Sequence, residues 1–222
     1  MTATSLDIDF HGEALQLHPQ GAIWWPSEHT LILSDVHLGK SATFRAHGLP
    51  VPEGESEDDL VRITKLVTHF HTQRLLIVGD FFHSRSILTA PFKANLNKWL
   101  SDLPCKVILI LGNHDPLPHK LADIPRLQTC STHHIKQLHF VHDPAEVVEG
   151  TPTISGHLHP LCRIGTKKGP SMRVPCFLQQ SSHLILPAFG TFTSGKLVEP
   201  GDDRKILYPI TGDQVSHKLM FL

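Results

Sequence analysis

The sequence predicts an α/β fold, a four-layer αββα sandwich of two mixed sheets with flanking helices. Two observations carry that expectation. Residues 30–34, 74–79 and 106–111 (TLILS, RLLIVG, KVILIL) are short, almost wholly apolar runs separated by segments of helical periodicity. After residue 135 the texture changes to short strand-like pieces with Gly and Pro between them and no helical pattern.

Taken in order, the apolar runs suit strands buried on both faces. Between the first two, SEDDLVRITKLVTHFH (56–71) places Leu60, Ile63, Val67 and Phe70 at helical spacing, with Ser56 and Asp59 spaced as a capping box. Between the second and third, TAPFKANLNKWLSD (89–102) sets Phe92, Leu96 and Trp99 on one face. A β-α-β-α-β order implies adjacent parallel strands covered by helices. KQLHFVH, TPTISG, RVPCFL, SHLILPAF and RKILYPI then read as strands of a second sheet. No repeat, low-complexity stretch or long linker interrupts the 222 residues, so residues 1–222 are expected to form a single domain. The Trp24-Trp25 pair is expected to pack the first strand on the core.

The net charge is -1 and the sequence pI about 7.0, which removes the overall basic footprint of a dedicated nucleic-acid binder. Any such contact has to come from a local patch. Cys105, Cys130, Cys162 and Cys176 are far apart, without Cys-x-x-Cys spacing, which argues against a thiolate zinc site and gives no reason for disulfides. The first residues lack the pattern of a signal peptide, no apolar run is long enough for a membrane span, and a cytoplasmic location is expected. The 18 His residues, nearly as many as all Lys and Arg together, raise the expectation of a metal site without locating it.

The location comes from the strand ends. Asp35 and His37 follow TLILS, Asp80 follows RLLIV, and Asn113 and His114 follow KVILI. His142 closes KQLHFVH, and His157 and His159 follow TPTIS. Ligands gather at the carboxyl ends of parallel strands, so five segments deliver N and O donors to one edge. Alone, each of these residues reads as a solvated turn; in order, they read as a site. Seven N and O donors with a carboxylate able to bridge suit two divalent ions about 3.5–4 Å apart, which acidify a shared water and hold two phosphate oxygens for in-line attack. Without sulfur the donor set suits Mn, Fe or Zn.

DVH, GDFFH, GNHD, a later His and GHLH, in that order, resemble the motif series of the calcineurin-like metallophosphoesterases. HPQGAIWWP, SDVHLGKSATFR and LILPAFGTFTSG are similar to the bacterial ligase-associated phosphoesterase family, a proposed DNA-repair endonuclease group. The likeness runs from about His18 to Gly195. It implies one metal on Asp35, His37, Asp80 and His159, and a second on Asp80, Asn113, His142 and His157, with Asp80 bridging. It makes His114 the phosphate contact and proton donor, Asp115 the acidic residue that orients it, and His83 a positioning residue for a phosphodiester. His133, His134 and His139 compete with His142; His142 is favoured because it ends an alternating strand. Lys40 and Arg45 are candidate substrate contacts, although exposed cations in a loop are ordinary. Lys167, Lys168 and Arg173 flank a Gly-Pro turn, and a solvated hairpin tip accounts for them.

The resulting expectation is a dinuclear phosphodiesterase using a metal-activated hydroxide and two ions, manganese first. A DNA endonuclease of repair, with a DNA-repair ligase or helicase as partner and no membrane, is the specific form implied by the resemblance. The alternatives are a hydrolase of small phosphorylated metabolites or nucleotide-lipid pyrophosphates, and a non-catalytic protein-binding scaffold. The scaffold predicts lost ligands, whereas Asp80, Asn113 and His114 are all present.

Overall fold

The computed structural model describes residues 3–40, 55–84, 87–165, 171–191, 193–199, 204–216 and 219–221. Arg45, Lys167 and Lys168 lie outside the described residues. The first sheet has seven strands in chain order: β1 (Leu6–Phe10), β2 (Glu13–His18), β3 (Ala22–Trp25), β4 (Thr30–Leu33), β5 (Arg74–Val78), β6 (Lys106–Ile110) and β7 (Leu127–Cys130). β1 to β4 form an antiparallel meander, and β4 to β7 run parallel. Among the described residues two long helices, α1 (Glu55–His69) and α2 (Ala90–Asp102), lie in the crossovers, and a one-turn helix, α3 (Pro118–Leu121), precedes β7.

The second sheet is also mixed. Its strands are β8 (His133–Ile135), β9 (Leu138–Phe140), β10 (Thr153–Ser155), β11 (Pro160–Gly165), β12 (Ser171–Gln180), β13 (His183–Ile185), β14 (Lys196–Leu197), β15 (Lys205–Thr211), β16 (Gln214–Val215) and β17 (Leu219–Phe221). The order is β14-β11-β12-β13-β10-β9-β8, with β15 beside β12 and carrying β16 and β17. β9, β10 and β13 are parallel, so this sheet too presents parallel carboxyl ends.

Alternation decides which side chains meet. Leu31, Leu33, Leu75, Ile77, Val107 and Leu109 point toward Ile63, Leu66 and Val67 of α1 and Leu96 and Leu100 of α2. The intervening Ile32, Leu76, Val78, Ile108 and Ile110 meet Phe140, Ile154, Phe177 and Leu184 of the other sheet. Each buried aliphatic side chain of this kind contributes about 1.5–3 kcal/mol relative to exposure. A smaller cluster around Cys162, Cys176 and Leu207 covers the outer face of the second sheet, and no described helix contributes to it. The fold is therefore the expected pair of mixed sheets with helices outside, the helical cover lying on the seven-stranded sheet.

One local expectation changes, and another, the packing of the Trp pair on the core, holds with a division between two faces. Ser56 lies inside α1 rather than ahead of it. Asp59 is instead buried and accepts from Arg62 Nη1 (2.7 Å) and Thr191 Oγ1 (2.9 Å), tying α1 to the loop after β13. Trp24 and Trp25 face opposite ways: Trp24 stacks on Phe70 under α1, and Trp25 is buried between the sheets with its Nε1 donating to Glu13.

Candidate metal centre

The backbone pairing of β4 with β5 continues past the strands into the loops that carry the candidate ligands. Asp35 N donates to Gly79 O, His37 N to Asp80 O, Leu38 N to Phe81 O and His83 N to Leu38 O, all at 2.9–3.0 Å. This zipper fixes Asp35 and His37 beside Asp80. From the other sheet, Phe189 N and Gly190 N donate to Ser34 O and Asp35 O, and Gly156 N donates to His142 O.

Five candidate ligands have left-handed backbones: Asp35 (φ 56°), His37 (52°), Asp80 (50°), His157 (70°) and His159 (46°). Such conformations cost of order 1–3 kcal/mol each for non-glycine residues and cluster where surrounding bonds hold them for function. The glycines of the motifs let the two sheets close on one another. A side chain at Gly79 (φ 81°) would run into the His142 ring, and one at Gly156 would run into Ser34 and Asp35.

Two clusters result. Asp35, His37 and His159 form one, and Asp80, His142 and His157 the other, each with its ligand atoms within 4.8 Å of one another. Asp35 Oδ2 accepts from the Ser34 hydroxyl and from His157 N (3.0 Å), which turns Oδ1 inward. His159 Nε2 lies 3.0 Å from Asp35 Oδ1, and His37 Nε2 is 4.0 Å from the same oxygen. Asp80 sits between the clusters: its Oδ2 is 3.5 Å from His142 Nε2, 3.8 Å from His37 Nε2 and 4.0 Å from His114 Nε2. Asn113 Oδ1 and His157 Nδ1 lie 3.2 and 3.3 Å from His142 Nε2. Donors around an ion with bonds of about 2.0–2.2 Å fall at such mutual separations.

The donors fit metal in a second way. Asp35 Oδ1, His37 Nε2 and His159 Nε2 are buried and have no hydrogen bond, because the short His159–Asp35 approach is out of line for one. Buried polar atoms are normally satisfied, and three orphans aimed at one point suit a cation. The far nitrogens are braced, as metal ligands commonly are: His142 Nδ1 is 3.0 Å from Val78 O and His159 Nδ1 is 2.9 Å from Ser194 O. Burial holds His37 down to about 4, keeping it in the neutral, ligating form despite Asp35 and Asp80. Burial works against a charged His142, yet the bond and charge of Asp80 and the charge of Asp35 carry it up to about 9. Asp80 is held down to about 2: burial opposes its charge, but His142 and the His114 N–H outweigh it. The field at this point calls for positive charge.

All seven expected metal donors, Asp35, His37, Asp80, Asn113, His142, His157 and His159, thus come together. His139 does not reach the site; its ring stacks on His134 at 4.1 Å. His114 and His83 cap the centre with rings stacked at 5.7 Å, and both lie against His37. Lys40 is partly buried next to these groups, near enough for its charge to add to the lowering of His37 and His83 by burial and to oppose the rise that Asp35 gives His159.

Asp115 departs from its expected part. Its carboxylate does not orient the His114 ring; it is 3% exposed and accepts from the backbone N–H of Asp80, Phe82 and Gly112 at 2.8–2.9 Å. Burial pushes it up to about 7 against those bonds. His114 Nδ1 instead donates to His83 O at 3.2 Å. Asp115 is a brace for the loop of Asp80. Asp115→Asn leaves one of three N–H groups facing an amide NH2, a loss of about 1–3 kcal/mol. The expected result is a melting temperature roughly 3–10 °C lower, in metal-free and metal-loaded protein alike; an unchanged melting curve would remove this role.

Sequence reasoning missed Ser34, Ser194 and the Asp59–Arg62–Thr191 network, where Arg62 also donates to Phe189 O (3.0 Å). Most of these lie in the LILPAFGTFTSG stretch or bond to it. The stretch was visible as a likeness but carries no ionisable group to betray its task of holding Asp35 and His159.

Calcineurin-like phosphoesterases match residues 29–176 of the chain. Among solved structures the chain is similar to the nuclease MPE of Pseudomonas putida, with 29% identity over 92% of this chain and 96% of that one and a TM-score of 0.75. Two others are a protein of unknown function, AQ665, from Aquifex aeolicus (19% identity, 63% and 81% covered, TM-score 0.41) and the E. coli phosphoesterase Yfce (16%, 87% and 99%, 0.44). No curated protein matches.

Proposed function

The chain belongs to the calcineurin-like phosphoesterase family, and from that premise we propose that this metal-dependent phosphoesterase is a phosphodiesterase acting on nucleic acid, a nuclease of DNA repair. The observation that carries the reading is the likeness to a bacterial nuclease along nearly the whole of both chains. Asp80 Oδ2, set between the two clusters, supports a dinuclear centre with a shared carboxylate. When bound, the two ions supply Lewis acidity and an acidified water. Manganese is the proposed native ion, from a donor set of N and O alone. The four cysteines are free thiols, in keeping with a reducing cytoplasm, and no described helix is long and apolar enough to cross a membrane. In this reading the partners are DNA and a repair ligase or helicase.

The chain's own groups divide the remaining work. His114 Nδ1 donates to the His83 carbonyl, so Nε2 is the atom turned to the substrate, and in the imidazolium it carries a proton for the leaving oxygen. In this reading His83, whose ring stacks on His114, holds the non-reacting ester arm that a diester has and a monoester lacks. Lys40 offers a cation beside the same mouth. The test is hydrolysis by the manganese-loaded protein of a nitrophenyl diester, the matched monoester, and single- and double-stranded DNA. The expected order is diester over monoester, with His83→Ala costing more on the diester. A monoester preference, or a His83→Ala protein with the parent's selectivity, would favour small phosphorylated metabolites as substrates.

A further inference from the structure

β11 leaves the metal centre directly, beginning one residue after His159, and β12 returns antiparallel with Leu161 opposite Pro175, Cys162 opposite Val174 and Arg163 opposite Arg173. Opposed residues share a face of the sheet, and successive residues alternate between faces. Cys162 and Val174 are buried in the cluster on one face. Leu161, Pro175 and both arginines therefore share the other. Leu161 and Pro175, with His159, line a recess of about 410 Å³ that also reaches Arg62 and Phe189. The arginine pair stands one step farther out, exposed, on the face that forms this wall.

The fold itself gains nothing from the pair. Like charges directly opposed on adjacent strands repel and weaken the pairing. Among the described residues neither arginine has an acidic partner. A ligand carrying successive negative charges satisfies both, and guanidinium groups bind phosphate in a two-pronged fashion that lysine does not match. The spacing suits a polymer. Arg163 lies four residue steps beyond His159, about 13 Å at roughly 3.3 Å per residue. Within a duplex each strand carries a phosphate about every 3.4 Å of axis, so along a duplex the pair stands about four phosphates from the metal ligand.

We propose that Arg163 and Arg173 form a phosphate clamp for the substrate strand, gripping a nucleic-acid backbone to one side of the scissile bond while the intervening nucleotides pass the recess beside His159. This rests on the nucleic-acid reading of the centre. The clamp sets affinity and length preference and leaves the chemical step alone.

The decisive comparison is between metal-loaded parent and Arg163→Glu, with the double change Arg163→Gln and Arg173→Gln alongside. Arg163→Glu turns a repelling cross-strand pair into an attracting one, so the protein stays folded while the clamp changes sign. Binding of a labelled 12-mer, followed by anisotropy in a His114→Ala background that leaves the DNA uncut, is expected to weaken at least about tenfold in either variant. In the double variant the logarithmic salt slope is expected to fall by about 1.4 on single strands, roughly 0.7 for each lost contact. With His114 intact, hydrolysis of a dinucleotide and of a nitrophenyl diester, too short to reach the pair, stays at the parent's rate. Unchanged affinity and slope in a protein whose parent cleaves DNA would overturn the clamp and leave the nuclease reading standing. Equal losses on the short substrates would overturn it as well, by placing the arginines' effect in the centre. A parent that hydrolyses the small diester but neither binds nor cuts DNA would overturn both.

Discussion

Asp80→Asn is expected to lose metal from both clusters and to lower turnover by at least about 10³-fold. The geometry sets the direction. Asp80 Oδ2 is the only carboxylate oxygen that faces histidines of both described clusters, at 3.5 Å from His142 and 3.8 Å from His37. With Asp80 held down to about 2, the group is a full anion at any working pH, and the amide removes that charge while keeping its shape. Ions of this kind supply several kcal/mol of transition-state stabilisation, and each 1.36 kcal/mol is tenfold in rate. The scaffold is expected to survive. The Asp80 N–H still bonds Asp115, and the His114 N–H still finds an oxygen on the amide. Elemental analysis reads the outcome. Asp35→Asn provides the control, since Asp35 belongs to one cluster alone and is expected to lower the metal count by about one. Two ions per chain in Asp80→Asn would end the bridging assignment.

Where the sequence was legible and where it was not has a physical basis. The parallel strands showed because burial on both faces leaves no room for polar alternation: all four residues of Leu75–Val78 are buried, as are all four of Val107–Ile110. The site showed because its candidate ligands are polar residues placed where those runs stop. The motif glycines had a reason visible only in three dimensions. Gly79 and Gly156 are bare because each faces a residue of the opposite sheet. The left-handed turns of Asp35, His37 and Asp80 were not legible, since nothing in their side chains demands positive φ; the zipper of backbone bonds between the two loops imposes it. Asp115 was misread for a similar reason. The family resemblance made it a partner for the His114 ring, but the turn aims the carboxylate back at three N–H groups. The Arg163–Arg173 pair is invisible as well, because nine residues of sequence stand between two side chains that only the hairpin register brings face to face.

His114→Ala is expected to keep both metals and lose about 10²–10⁴-fold in turnover on DNA, the range for a missing general acid. Retention of metal follows from which atoms do what. The bond that matters to the centre runs from the His114 backbone N–H to Asp80 Oδ1, at 2.9 Å, and alanine preserves it. The side chain is 45% exposed, with Nε2 4.0 Å from Asp80 Oδ2, so it borders the centre without being needed to build it. Leaving groups then separate two ways the imidazole can help. A sugar alkoxide departs poorly unless it is protonated as the bond to phosphorus breaks, and a nitrophenolate departs well unaided. If Nε2 delivers the proton, the loss on a nitrophenyl diester is expected to be smaller than the loss on DNA by a factor of ten or more. If His114 instead steadies charge on the phosphoryl oxygens, both substrates lose equally, since that charge develops whichever group departs. The ratio of the two losses, measured with metal content verified in the same preparation, decides between proton donor and electrostatic clamp.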